Sequence, residues 1–121
     1  VPSCTERISG YHRVRTGSKA RALENTIVTV QSPTVGDAVW SPAVDHNVGA
    51  AGIYVPPENG VSDDGILAQG TLNESMWVSA AVDLAALRRL RTSGEMRNFG
   101  DWPSQPGAEP LKHTVETVTL A

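Results

Sequence analysis

The passage Ala20-Arg21-Ala22-Leu23-Glu24-Asn25, followed at once by Thr26-Ile27-Val28-Thr29-Val30-Gln31, limits the fold more than any other stretch of this chain. A helix-compatible segment with Arg21 and Glu24 paired at i,i+3 gives way without a break to a run of β-branched residues. The chain must turn from helix to strand at a polar corner, which Asn25 suits because its side chain satisfies nearby backbone groups. Residues 11–25 read as the helix, with Tyr11, Val14, Ser18, Ala22 and Leu23 near one face. Residues 26–32 read as the strand, and Pro33, which has no N–H to give a ladder, stops it.

Beyond that corner the pattern stays β-rich. From Ser32 to Gly49 the chain carries Pro33, Gly36, Pro42, Asp45 and Asn47, a long loop around one large apolar residue, Trp40. Ala51 to Val55 reads as a strand closed by Pro56-Pro57, and Glu58-Asn59-Gly60 supplies a turn. The loop Ser62-Asp63-Asp64-Gly65 leads to a strand over Ile66 to Gln69, and Trp77 to Val82 reads as another. Together they predict an antiparallel meander. Asp83 is placed to cap a helix from Leu84 to Arg91, with Leu84, Leu87 and Leu90 or Arg91 on one face and Gly94 ending it. Pro106, Gly107 and Pro110 read as a linker before a short β-prone tail, Val115 to Leu120.

Composition narrows the function classes. The chain is 40% hydrophobic and 19% charged, with a formal net charge of −3, so it has no basic excess with which to hold a phosphate backbone. Nucleic acid is therefore not an expected partner. No apolar run of about 18 residues is present, so no membrane span is predicted. One cysteine, Cys4, cannot form an internal disulfide, which agrees with a reducing, cytoplasmic setting. The chain opens on Val1, almost directly on motif residues, as a fragment or processed chain does.

The helix-to-strand passage resembles that of the nitrilase superfamily, the carbon–nitrogen hydrolases. The resemblance extends from Pro2-Ser3-Cys4-Thr5 through Gly10-Tyr11-His12-Arg13-Val14-Arg15 to Ser32-Pro33-Thr34-Val35-Gly36, and on to Asp101-Trp102. It implies an α/β fold, part of an α-β-β-α sandwich, of which this chain is the second half, with a mostly antiparallel sheet and two helices. Residues 1–103 correspond to the C-terminal part of such a hydrolase domain, and 104–121 to a C-terminal arm or tail. With the opposing sheet missing, one apolar face stays uncovered, which predicts marginal stability or a partner chain. The resemblance also implies a homo-oligomer and no cofactor.

Members of that superfamily hydrolyse a nitrile or a non-peptide amide through a Cys thioester, with a Glu as general base and acid and a Lys at the oxyanion. Those residues precede the resembling region in chain order, so no residue here is assigned a catalytic role. Cys4 lies in the Pro-Ser-Cys-Thr segment, which resembles the strand end after the nucleophile and not the nucleophile's own context. What the resemblance implies for Cys4 and Thr5 is a place in the wall of a substrate pocket, against the bland alternative of a small packed thiol. Trp40 sits in the loop best placed to rim that pocket, although Trp40, Trp77 and Trp102 all read first as packing anchors. Arg21, Glu24 and Asn25 read as structural support, tying the helix to neighbouring loops.

Metal sites are not predicted. His12, His46 and His113 show no zinc spacing, and Glu58 with Asp63-Asp64 lacks the ligand pattern of a calcium loop and reads as a solvated acidic turn. Two functions follow. One is the C-terminal portion of a carbon–nitrogen hydrolase, inactive alone, with a small nitrile or amide as substrate of the intact enzyme. The other is a non-catalytic self-association or interaction module derived from that fold.

Overall fold

The computed structural model describes residues 1–107 and 118; the tail strand expected over residues 115–120 lies, apart from Val118, outside them. In chain order the elements are β1 (Pro2–Ser3), α1 (Ile8–Asn25), β2 (Thr29–Pro33), β3 (Gly36–Asp37), β4 (His46–Asn47), β5 (Gly52–Tyr54), β6 (Ile66–Gln69), α2 (Leu84–Ser93) and the single turn α3 (Asn98–Asp101). A 3-10 turn, Trp102–Ser104, follows. The architecture is mixed α/β, with a four-stranded sheet in the order β1-β2-β5-β6 and a separate β3-β4 hairpin. No helix among the described residues is long and apolar enough to cross a membrane.

The helix-to-strand corner is present, one residue later than the sequence suggests. Thr26, at φ 50°, takes the left-handed conformation that ends α1, and its N–H bonds back to Ala22 O and Leu23 O. Ile27 N–H closes the same turn onto Ala22 O at 3.1 Å. Asn25 instead donates Nδ2 to Arg21 O at 3.1 Å. Because capping consumes Thr26 and Ile27, β2 begins at Thr29 and not at Thr26. At its far end β2 still includes Pro33, where the missing donor is replaced by Thr34 N–H bonding to Ser3 O at 2.9 Å.

β1, α1 and β2 form a β-α-β unit, since Pro2 pairs with Ser32 and Ser3 with Pro33 in parallel. β2, β5 and β6 form an antiparallel meander, with Val30 opposite Ile53 and Ile53 opposite Ala68, whereas the one expected ran over 51–55, 66–69 and 77–82. Opposed residues share a face of a sheet. Val30, Ile53 and Ala68 therefore point one way, and Thr29, Gln31 and Tyr54 the other. The second face lies under α1: Thr29 Oγ1 donates to Ser18 O at 2.9 Å, and Thr29, Gln31, Tyr54, Ser18 and Ala22 are all buried there. The interior that the chain closes for itself is thus rich in polar groups.

The apolar face is only partly covered. Val30 remains 52% exposed, and the extended stretch Ser75 to Val78 crosses the sheet without joining it, leaving a hollow of about 480 Å³ lined by Val30, Ser32, Ile53, Met76 and Trp77. This corrects the strand expected over Trp77 to Val82. A strand exists only where a neighbouring backbone accepts its ladder, and residues 74–83 lie in no helix or strand. The tryptophans are also not packing anchors within this chain: Trp40, Trp77 and Trp102 are 82%, 100% and 60% exposed.

β5 is the central strand, and all three of its residues are buried. Gly52 is there because Tyr54, two residues on and on the same face, lays its ring back along the strand: a Cβ on Gly52 would stand 2.3 Å from the Tyr54 hydroxyl. Burial pushes the Tyr54 hydroxyl above its ordinary pKa, with Tyr11 adding to the shift and Arg15 opposing it. Tyr54 has no exposed surface into which it could move. Gly52→Ala is expected to cost about 1–3 kcal/mol, the usual cost of overfilling a packed site, measured by urea unfolding.

The second helix forms as its sequence directs. Asp83 accepts from Ala85 N–H at 2.8 Å and Ala86 N–H at 2.9 Å, Leu87 is the buried residue of the helix, and Gly94 ends it. Leu84 is exposed, so the buried stripe is narrower than predicted. The Ala86 bond, with the Ala85 bond and the Arg89 charge behind it, holds the Asp83 carboxyl below the usual range despite some desolvation. Since the folded pKa is the lower one, the support Asp83 gives α2 is full above the unfolded value of about 3.9 and is lost as pH falls through the folded value. The Ala85 and Ala86 amide resonances should titrate together with a midpoint below about pH 3.9, and Asp83→Ala should abolish that titration.

Candidate functional site

The β-α-β unit brings one group of candidate residues to a single end of the sheet. β1 and β2 run parallel, so both finish where Cys4, Thr5 and the loop after Pro33 begin. Thr5 is bonded twice to the far end of that loop, its Oγ1 donating to Val48 O and its O accepting from Val48 N–H, each at 2.7 Å. Gly10 of α1 lies against Thr5, where a Cβ would approach to 2.8 Å. Thr5 is therefore held on both sides. Cys4, flanked by pinned neighbours, is exposed as a free thiol.

The loop between Pro33 and Val48, expected to be irregular, contains the β3-β4 hairpin. Gly36 pairs with Asn47 and Asp37 with His46. Asp37 Oδ1 lies 2.6 Å from His46 Nδ1 on the exposed side. Ala38 N–H bonds to Asp45 O at 2.7 Å, and the tip beyond presents Val39 and Trp40 to solvent. The sequence reading placed Asn47 among turn residues; it is buried, and its amide ties the hairpin together. Nδ2 donates to Gly36 O at 3.2 Å and to Val44 O at 2.7 Å, while Oδ1 accepts from Thr34 Oγ1 at 2.7 Å.

Arg21, Glu24 and Asn25 lie at the other end of α1, on the order of 20 Å away along an axis that rises about 1.5 Å per residue. Arg21 Nη1 bonds to Glu24 Oε2 at 2.6 Å, and both side chains are exposed. Glu24 also lines an open hollow of about 690 Å³ with Asn98, Asp101 and Trp102. These three residues share no contact with the Cys4 end, so the candidates form two groups.

Glu58 corrects the sequence reading. It is not part of a solvated turn but is 6% exposed, and its carboxylate accepts from Met96 N–H at 2.9 Å and Glu95 N–H at 3.4 Å, fastening the segment after α2 to the end of β5. Only its place beside Pro56-Pro57, at the close of a buried strand, hinted at this. Asp63 and Asp64 are exposed as expected, with Asp64 Oδ1 accepting from Ile66 N–H at 2.9 Å, the bond that chiefly lowers its pKa. Among the described residues, no group of three His, Cys, Asp or Glu could hold a metal ion.

At the Cys4 end the structure shows an exposed free thiol beside a fixed Thr5. No histidine or carboxylate is hydrogen-bonded to the Cys4 thiol among the described residues, so nothing there is arranged to take its proton.

Over 101 residues the chain is 42% identical to a protein described as probable hydrolase YhcX, from Bacillus subtilis (strain 168). The aligned stretch is 84% of this chain and 20% of that protein, so the chain spans about a fifth of its relative's length. No family model matches the chain, and no solved structure matches it. The similarity is thus to one stretch of a probable hydrolase.

Glu58→Ala leaves two backbone N–H donors without an acceptor and is expected to destabilise the chain by about 1–3 kcal/mol. Hydrogen exchange should show faster exchange at Glu95 and Met96 than at β2.

Proposed function

We propose that this chain is the C-terminal portion of a carbon–nitrogen hydrolase of the nitrilase superfamily, inactive alone, whose intact form cleaves a nitrile or a non-peptide amide through a Cys thioester. The observation that carries the reading is the 42% identity over 101 residues to a fifth of a probable hydrolase. The half-open apolar face of Val30, Ile53 and Met76 agrees with it, because a sandwich half exposes such a face when its opposing sheet is absent. In this reading the nucleophile, the general base and the oxyanion lysine belong to sequence that this chain does not contain. Cys4, Thr5 and Trp40 contribute the pocket wall, and Arg21, Glu24 and Asn25 support the helix behind it.

The half-open face also favours a second reading, a module that associates with itself or with a longer homologue without catalysis. The two separate by experiment. Under the first, the purified chain binds a hydrophobic dye and releases no ammonia from nitriles, simple amides or N-carbamoyl compounds, while the full-length protein of its natural reading frame hydrolyses one of these classes. Hydrolysis by the chain alone, abolished in Cys4→Ala, would sink the assignment of Cys4. A full-length protein inactive on all three classes, together with a dye-silent chain of defined oligomeric size, would leave the module.

A further inference from the structure

We propose that residues 75–82 are an unpaired strand whose partner is the same stretch of a second copy of this chain, joined to it antiparallel about Ser79. This pairing does not depend on hydrolase activity.

The stretch Ser75-Met76-Trp77-Val78-Ser79-Ala80-Ala81-Val82 runs without a turn or bend. Both of its ends are fixed. Asn73 N–H bonds to Gly49 O at 2.7 Å and its Oδ1 accepts from Gly49 N–H at 3.1 Å, while Asp83 caps α2. Side chains alternate along it as on a strand. Met76 and Val78 lie against Gly70, where a Cβ would stand 3.1 Å from each, and Val82 lines a small cavity of about 140 Å³ with Leu67 and Leu87. Trp77 is wholly exposed, and Ser79 and Ala81 face solvent.

Among the described residues, no backbone N–H or C=O from Ser75 to Val82 is hydrogen-bonded. An extended backbone in that state is a template for another strand, and proteins guard such edges with charge, proline or a bulge. The edges of the sheet are guarded in this way, β1 by Pro2 and β6 by the irregularity opposite Ile53 and Tyr54. Residues 75–82 carry no charge and no proline. Held extended at both ends, they pair without the ordering cost that a flexible segment meets.

A second copy is the partner because the stretch fits itself. In a two-fold antiparallel pair one residue lies opposite its own copy. With Ser79 there, Trp77 opposes Ala81, Met76 opposes Val82 and Val78 opposes Ala80: a larger side chain meets a smaller one each time, and no like charges meet. Pairing also begins to cover Trp77.

Sedimentation equilibrium over a hundredfold range of concentration tests the pairing on the wild type, Ser79→Lys and Asn59→Lys. Ser79 is exposed and its hydroxyl is in no bond among the described residues, so Ser79→Lys spares the fold and sets two charges face to face. The wild type is expected to dimerise and Ser79→Lys to weaken the dimer at least tenfold. Asn59→Lys, at an exposed turn away from the stretch, should stay within twofold of the wild type. Opposed residues of an antiparallel pair have Cα atoms about 4.5–5.5 Å apart, within reach of a disulfide. In a Cys4→Ser background, Ser79→Cys should therefore link two copies at least tenfold faster than Ala81→Cys.

A chain that is monomeric at every concentration removes the proposal. So does a dimer that Ser79→Lys leaves intact, because the contact then lies on another surface, and so do assemblies larger than a dimer, which deny a two-fold pair. Equal linking by Ser79→Cys and Ala81→Cys overturns the register about Ser79. Slow amide exchange over 75–82 in a dilute monomer would place the backbone partner within this chain and overturn the second copy. None of these readouts involves a substrate, so the pairing and the hydrolase reading stand or fall separately.

Discussion

The left-handed turn at Thr26 fixes the phase of everything that follows it. α1 ends there, Ile27 is folded back onto Ala22, and Thr29 reaches Ser18 with its hydroxyl, so β2 enters the sheet with Thr29 and Gln31 under the helix. Side chains on a strand alternate, and a slip of one residue would exchange the two faces completely. Had the corner fallen at Asn25, Val30 would pack against α1 and Gln31 would face outward. The single αL residue thus decides that the chain buries a polar surface and leaves an apolar one half open. A β-branched residue at φ 50° is unfavourable in isolation and persists because three backbone bonds and the packing of Ala22 over-determine it.

That choice of face shapes the energetics. Burying Thr29, Gln31, Ser18 and the Tyr54 hydroxyl costs desolvation that only hydrogen bonds offset. Thr29 is satisfied and Tyr54 reaches Gln31 Oε1 at 3.4 Å, but Gln31 Nε2 and Ser18 Oγ are buried without a partner among the described residues. The groups that would stabilise cheaply, Val30 and Met76, keep about half their surface in water. A chain of this size has little buried area to spare, so the arrangement makes physical sense when the open face is the one that meets another layer.

How much of this the sequence disclosed depended on whether the controlling interaction was local. Asp83, Leu87 and Gly94 act within one helix, and their pattern alone predicted α2 and its cap. The strands β2, β5 and β6 were each legible as apolar or β-branched runs broken by Pro33, Pro56-Pro57 and Gly65, although the sequence reading put 77–82 and not β2 in the meander with β5 and β6. What escaped was set at a distance. The strand expected at Trp77 to Val82 has the right residues but no neighbouring backbone to pair with, and composition cannot supply one. Glu58 looked solvated because its partners, the N–H groups of Glu95 and Met96, lie nearly forty positions away. Asn47 looked like any turn residue because its three bonds exist only once Thr34 and Gly36 have been brought round by the hairpin. Cys4, Thr5 and the Trp40 loop were grouped only through the resemblance, and it is the parallel pairing of β1 with β2 that brings Cys4, Thr5 and the start of that loop to one end.

The same geometry divides the labour of the proposed enzyme. Breaking an unactivated C–N bond requires a nucleophile beside a base and a donor for the developing oxyanion, all held within hydrogen-bond reach of one atom. Among the described residues the Cys4 thiol is exposed with no hydrogen-bonded base, and His46 has its Nδ1 turned toward Asp37. What the end does provide is rigidity, in Thr5 wedged between Gly10 and Val48, and reach, in a hairpin braced by one buried amide. In the proposed hydrolase the reacting groups would come from outside the described residues, and this segment would contribute a braced end and an apolar face that a second layer can cover.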